Sequence, residues 1–170
     1  MDRAVADSSV LIHLAAIQQL ELLPKLYREV AIPDAVWNEV VMQGRSRPVV
    51  EQIRRAVDAG WLMRQSLTNH GLETALRHEL HAGEAAAIAL TLETKADVLL
   101  VDETEARRLA AHHGVPVAGI IGVLLRAKQA GHLPRIRPHL AALVASGFYL
   151  STPLLNRILR NAGEKALTTD

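Results

Sequence analysis

Short runs of branched apolar residues alternate along the chain with longer stretches in which apolar positions recur every three or four residues. The clearest unit is 96–108, A-D-V-L-L-V-D-E-T-E-A-R-R. Its apolar run, 98–101, is too short for a helix and is rich in Val and Leu, as a buried parallel strand should be, and it stops at Asp102. Glu103 and Glu105 then suit the first turn of a helix, where a negative charge offsets the dipole, and Arg107 and Arg108 continue it with good propensity. Residues 3–7 repeat the design: a short strand ends in Asp7, and Ser8 or Ser9 can cap the helix that follows.

The rest of the chain follows the same pattern. Further strands are predicted at 29–32, 61–64 and 115–117, the last at a sheet edge because Pro116 has no N–H to donate. Helices are predicted at 8–17, 20–26, 34–41, 48–59, 68–81, 81–93, 119–130, 138–145 and 150–159, with stops at Gly44, Gly60, Gly114 and Gly131. The helix 81–93 is nearly all apolar after Glu84, so it should be packed on both sides with Glu84 held firmly in its first turn. Short strands separated by helices give an α/β fold, a three-layer α/β/α sandwich with a mostly parallel sheet. The expectation is a single domain over 1–170, with additional C-terminal helices at about 135–163 and a frayed end at 166–170.

Composition narrows the function. Hydrophobic residues make up 49% but aromatics only 3%, so the core must be aliphatic and platforms for stacking bases are disfavoured. With no Cys there is neither a disulfide nor a thiolate metal site. The opening M-D-R-A-V-A-D lacks the pattern of a signal peptide, and no apolar run reaches membrane-spanning length, so an intracellular, cytoplasmic protein without membrane contact is expected. A net charge of +1 means that nucleic-acid binding would rest on a local basic patch.

An open α/β sheet binds its ligands beyond the carboxyl ends of its strands, where Asp7 and Asp102 stand. Glu39, inside the helix 34–41, and Glu84 are the other acids singled out by position. Each has an ordinary reading: Asp7 as an N-cap, Glu39 and Glu84 as solvated helix residues. Gathered in one pocket of charge about −4, they would raise one another's proton affinity unless a cation were present. Mg²⁺ or Mn²⁺ prefers such oxygen ligands and can orient a water nucleophile at a phosphoryl group, which makes a phosphodiester the natural substrate. Other chemistries fit less well. His78-Glu79-Leu80-His81 is one residue short of the H-E-x-x-H zinc motif, and the adjacent His112 and His113 face different sides of a helix. The D-x-D of the common aspartyl phosphatases is missing because Ser8 and Ser9 follow Asp7, and no Gly-rich phosphate loop is present.

Four segments, D-S-S-V-L-I-H-L from Asp7, I-P-D-A-V-W-N-E-V from Ile32, A-G-E-A-A-A-I-A-L from Ala82 and L-L-V-D-E-T-E-A-R-R-L-A from Leu99, resemble a PIN domain. The later G-I-I-G-V-L-L-R-A-K-Q-A-G is similar to a prokaryotic PIN subfamily of unassigned biological role, and the resemblance spans residues 4–164. It implies a compact α/β/α fold and a ribonuclease dependent on Mg²⁺ or Mn²⁺, with many relatives acting as VapC-like toxins paired with an antitoxin. Position by position, Asp7, Glu39, Glu84 and Asp102 match the family's acidic quartet, with Glu84 where many members have Asp. Ser8 or Ser9 matches the hydroxyl residue often beside the first Asp, and Glu105 is a second-rank metal ligand. The implied reaction is in-line hydrolysis of RNA that leaves a 5′-phosphate and a 3′-hydroxyl. Asp7, Glu84 and Asp102 would hold one ion, and Glu39 would complete a second site or position the attacking water. Arg107, Arg108, Arg126 and Lys128 are the candidate contacts to the RNA backbone, each with surface solubility as its ordinary reading. The aliphatic faces at 20–26 and 150–159 are candidates for a homodimer or antitoxin contact, although such faces are usually core. The alternatives are a non-catalytic RNA- or protein-binding module of the same fold and a nuclease acting on DNA.

Overall fold

Five short strands form one all-parallel sheet in the computed structural model, which describes residues 3–166. They are β1 (Arg3–Ala6), β2 (Glu29–Pro33), β3 (Leu62–Gln65), β4 (Val98–Leu100) and β5 (Val117–Ala118), in the order β3-β2-β1-β4-β5. Parallel neighbours need long crossovers, and helices supply them. α1 (Ser8–Ala16) and α2 (Leu22–Leu26) lead from β1 to β2. α3 (Asp34–Trp37), a π-helical turn at Asn38–Met42 and α4 (Arg47–Asp58) lead to β3. α5 (Gly71–Leu76) and α6 (Ala82–Thr94) lead to β4, and α7 (Thr104–His112) to β5. α8 (Ile120–Gln129), α9 (Arg137–Ala145) and α10 (Thr152–Asn161) complete the chain.

Alternate strand residues point to opposite faces, and the two faces carry separate cores. Ala4, Ala6, Val30, Ile32, Val98 and Leu100 pack with residues of α1, α2, α4, α8, α9 and α10. Val5, Ala31, Leu99 and Val101 pack with Leu76 of α5, with α6 and with α7. This is the expected α/β/α sandwich. α6 is buried continuously from Ala85 to Thr91, as its Ala-rich sequence requires of a helix packed on both sides. The apolar residues of 20–26 and 150–159 are mostly internal: Leu20, Leu22, Leu23, Ile158 and Leu159 are buried in the core of the first face. Among the described residues no helix is long and apolar enough to cross a membrane.

Several boundaries differ from the sequence pattern. Only Gly71–Leu76 of 68–81 is helical. The Glu93 carboxylate accepts the N–H groups of Thr68 and Asn69, and the Asn69 side chain accepts that of Gly71, so the chain enters α5 through a turn. His78-Glu79-Leu80-His81 therefore lies outside any helix. The helix at 34–41 changes pitch, because Gln43 N–H bonds to Asn38 O at 2.9 Å, an i to i−5 bond, and the turn ends at Met42 before reaching Gly44. β5 starts at Val117, but Pro116 still joins the edge by accepting Leu99 N–H through its carbonyl at 2.9 Å. Of the end expected to fray, 167–170 lies outside the described residues.

The sheet order locates the site. The chain moves outward from β1 to β2 and β3, then returns to place β4 on the other side of β1. The order reverses between β1 and β4, and the crevice beyond the carboxyl ends of those two strands is where such sheets bind ligands.

Candidate active site

Asp7 and Asp102 follow β1 and β4 and so flank that crevice. Pairing of the two strands fixes them, with Asp7 N–H bonded to Leu100 O at 2.9 Å. Asp7 is 2% exposed and caps α1: its Oδ2 accepts Ser9 N–H at 3.1 Å and Ser9 Oγ–H at 2.8 Å. The N-cap and ligand readings of Asp7 are therefore compatible, because the cap uses one oxygen. The other, Oδ1, is buried with no partner among the described residues.

Asp102 is built in a similar way at a different helix. Its Oδ1 accepts Ile120 N–H at 3.0 Å, at the start of α8, and its Oδ2 is buried without a partner. Gly119 makes the approach possible, since a Cβ there would lie 2.3 Å from Asp102 Oδ1. Arg107 stands beside this carboxylate, but its Nη1 donates to Val101 O at 3.0 Å. His13 of α1 also lies within electrostatic reach of Asp102, its ring edge-on to Phe148 with centroids 5.0 Å apart.

Glu39 projects from the π-helical turn and is held by both oxygens: Ser8 Oγ–H donates to Oε2, and Gly83 N–H donates to Oε1 at 2.8 Å. A Cβ on Gly83 would lie 2.3 Å from Glu39 Oε2, so a glycine is needed where α6 begins. Glu84 turns back to accept His81 N–H at 3.0 Å, the half of a capping box that satisfies an N-terminal donor of α6.

Asp7 is the electrostatic hub of the four. Burial pushes its proton affinity up, the Ser9 bonds pull it partly back, and the charge of Glu39 raises it again. Burial is also the main cause that raises Glu84, with Asp7 and Glu103 adding to it, and Asp102, with Asp7 adding to it and Ile120 N–H, His13 and Arg107 opposing. Three of the four acids thus sit above the ordinary carboxylate range, as expected of like charges gathered in a low-dielectric crevice.

Asp7, Ser8, Ser9, Glu39 and Glu84 line one open cleft of about 850 Å³, with the exposed Arg77 also in its lining, while Asp102 sits outside that lining. Among the described residues no three acid or histidine side chains converge closely enough to hold one ion as they stand. Glu39 and Glu84 are engaged with backbone N–H groups, so the four surround the crevice without closing on a point. Glu105 is not brought to them. It is half-buried on α7 and bound by Arg108 Nε at 3.0 Å, and Glu103 is the acid of that segment that Glu84 feels.

The four cations named from the sequence lie elsewhere, apart from Arg107. Arg108 bridges Glu105 and Glu79, Arg126 lies over the Tyr27 ring with its guanidinium carbon 5.2 Å from the centroid, and Lys128 pairs with Glu164 at 2.6 Å. Arg77, Gly83, Gly119 and His13 were not singled out for the site. A partial signal existed for the glycines, since Ala-Gly opens both α6 and α8.

Comparisons agree with this fold. Residues 3–164 match the DUF3368 family, a PIN domain. Among solved structures, a PilT N-terminus domain protein, SSO1118, from the hyperthermophilic archaeon Sulfolobus solfataricus P2 superposes with a TM-score of 0.52 at 16% identity, covering 71% of this chain and 89% of that one. That likeness concerns the fold alone. No curated protein matches the chain significantly. A fold shared with nucleases, four carboxylates gathered at its switch point and a family match over nearly the whole length lead to one assignment: the chain belongs to the PIN-domain family.

Proposed function

We propose that this PIN domain is an endoribonuclease that hydrolyses RNA phosphodiester bonds with Mg²⁺ or Mn²⁺. The observation that carries the reading is the pair of buried, unpartnered carboxylate oxygens, Asp7 Oδ1 and Asp102 Oδ2, on either side of the crevice between β1 and β4. A buried anionic oxygen without a partner is costly, and a hard cation is the partner that suits it. Asp7, Asp102 and Glu84 would hold that ion. When bound, it supplies a Lewis acid that stabilises charge on the phosphoryl oxygens and favours an ionised water.

The chain's own groups do the positioning. Ser9 locks the Asp7 carboxylate through two hydrogen bonds to one oxygen, and Ile120 N–H holds one oxygen of Asp102 through a single bond. Ser8 and Gly83 hold Glu39 over the cleft, where it orients the attacking water toward phosphorus. The preference for RNA over DNA follows from the likeness to VapC-like ribonucleases, since carboxylate chemistry serves either polymer.

The test is an RNA and DNA panel incubated with Mn²⁺, with and without chelator, using Asp7→Asn as the control. Chelator-sensitive cleavage of RNA that Asp7→Asn abolishes is expected. Cleavage of DNA alone would replace the substrate class. Absence of cleavage together with no heat of Mn²⁺ binding would overturn the enzymatic reading in favour of a binding module.

A further inference from the structure

The acid cleft presents a polyanionic substrate with a difficulty beyond the scissile phosphate. Four carboxylates repel every phosphate that follows it, and a bound metal answers for only one. The cations at hand are mostly committed. Arg107 bonds to Val101 O, Arg108 to Glu105 and Glu79, and Lys128 to Glu164, while Arg126 packs over Tyr27.

Arg77 is different. It follows α5, is exposed, and is the one Arg or Lys among the cleft's lining residues. One turn earlier stands Glu73, at the spacing that would ordinarily pair with it on a helix. Glu73 Oε2 is instead taken by His70 Nδ1 at 2.8 Å, and the Arg77 guanidinium makes no ion pair or hydrogen bond among the described residues. A guanidinium left free in the lining of an acidic cleft is matched in charge and geometry to a phosphate diester, which its forked donors bind in bidentate fashion.

We infer that Arg77 is a substrate-binding residue that grips an RNA phosphate neighbouring the scissile one and so fixes the register of the strand across the acids. This rests on the ribonuclease reading above. Arg77 touches none of the four carboxylates, so its contribution is to binding and alignment.

The test uses the full chain carrying Asp102→Asn, in which the new amide oxygen can still accept Ile120 N–H while hydrolysis is slowed. A fluorescein-labelled single-stranded RNA is titrated in Mg²⁺ at several KCl concentrations. Adding Arg77→Ala is expected to raise Kd about tenfold and to flatten the slope of log K against log salt by about 0.7, the loss of one phosphate contact on a single strand. Arg77→Lys should restore the slope and only part of the affinity, and Arg108→Ala should match the parent. In the otherwise wild-type chain, Arg77→Ala should raise KM and leave kcat unchanged. An Arg77→Ala protein with the parent's Kd and salt slope would overturn the inference while leaving the nuclease reading intact. A wild-type chain that neither binds nor cleaves RNA would overturn both.

Discussion

Two carboxylates in this molecule take backbone N–H groups at the start of a helix, yet they end in opposite electrostatic states. Asp102 accepts Ile120 N–H at the start of α8, keeps its second oxygen buried and unpartnered, and is pushed above the ordinary carboxylate range chiefly by burial. Glu164 accepts Ile136 and Arg137 N–H at the start of α9, at 2.7 and 3.1 Å, and also receives Lys128 Nζ at 2.6 Å. Burial pushes Glu164 up as well, but those three bonds outweigh it and bring it below the ordinary value. A directly bonded ammonium group and a second backbone N–H separate the two cases. Where the protein supplies its own cation, the acid clasps the segment after α10 against α8 and α9. Where it withholds one, the acid costs stability and keeps an oxygen for something outside the chain.

The comparison breaks most visibly at Asp102. Asp102→Asn should lower cleavage by at least about 10²-fold, because several kcal/mol of transition-state stabilisation depend on the charge. The same change should stabilise the metal-free protein, raising its Tm by about 2–4 °C for each kcal/mol of charge burial relieved, as read by thermal unfolding in chelator. A variant that is less stable in chelator would mean that Asp102 is a structural acid like Glu164.

Gly119→Ala sharpens the point without altering any charge. The added methyl would sit 2.3 Å from Asp102 Oδ1 and must displace the carboxylate. Loss of that support should cost about 10–100-fold in metal affinity, measurable by Mn²⁺ calorimetry, while circular dichroism stays native. Unchanged affinity would remove Asp102 from the ligand set.

Glu164→Gln is the smallest change and runs the other way. It should cost about 1.5–3 kcal/mol in urea unfolding, as expected for a charge-assisted hydrogen bond, and leave cleavage unchanged. The two regions should also answer to pH with opposite signs. Asp7, Glu84 and Asp102 hold protons more tightly when folded, so their contribution to metal-free stability is full below the ordinary carboxylate values and is lost as pH rises through the raised ones. Glu164 holds its proton less tightly when folded, so its contribution is present above the ordinary value and is lost as pH falls through the lowered one. Added divalent cation should flatten the first trend and leave the second.

Much of the fold was readable because strand and helix periods differ. The valine- and leucine-rich run ending at Asp102 and its counterpart ending at Asp7 could only be buried strands, and two strand-end acids in a doubly wound sheet are placed near each other by topology. Glu39 and Glu84 were legible by position and by the PIN resemblance. Their hydrogen bonds were not, because Glu39 is held by Gly83 N–H, 44 residues away, and no local pattern records such a pairing. The committed cations were hidden only in part: Arg108 and Glu105 stand at a helical spacing that foretells a pair, whereas Lys128 meets Glu164 across 36 residues. The helix predicted at 68–81 gave way because Glu93 captures the N–H groups of Thr68 and Asn69, a tertiary bond that propensity cannot register.

The reversal of strand order beside β1 also sets when the site can exist. Of the five strands β1 emerges from the ribosome first, but its partner β4 comes fewer than a hundred residues later and the Ile120 N–H that seats Asp102 more than a hundred. At ordinary rates of synthesis the separation of Asp7 from Asp102 amounts to roughly 5–20 s during which Asp7 has no Asp102 beside it. An incomplete chain ending before β4 lacks Asp102, and one ending before α8 lacks the N–H that seats it, so truncated products of interrupted translation should be inert toward RNA even where the first half has already folded.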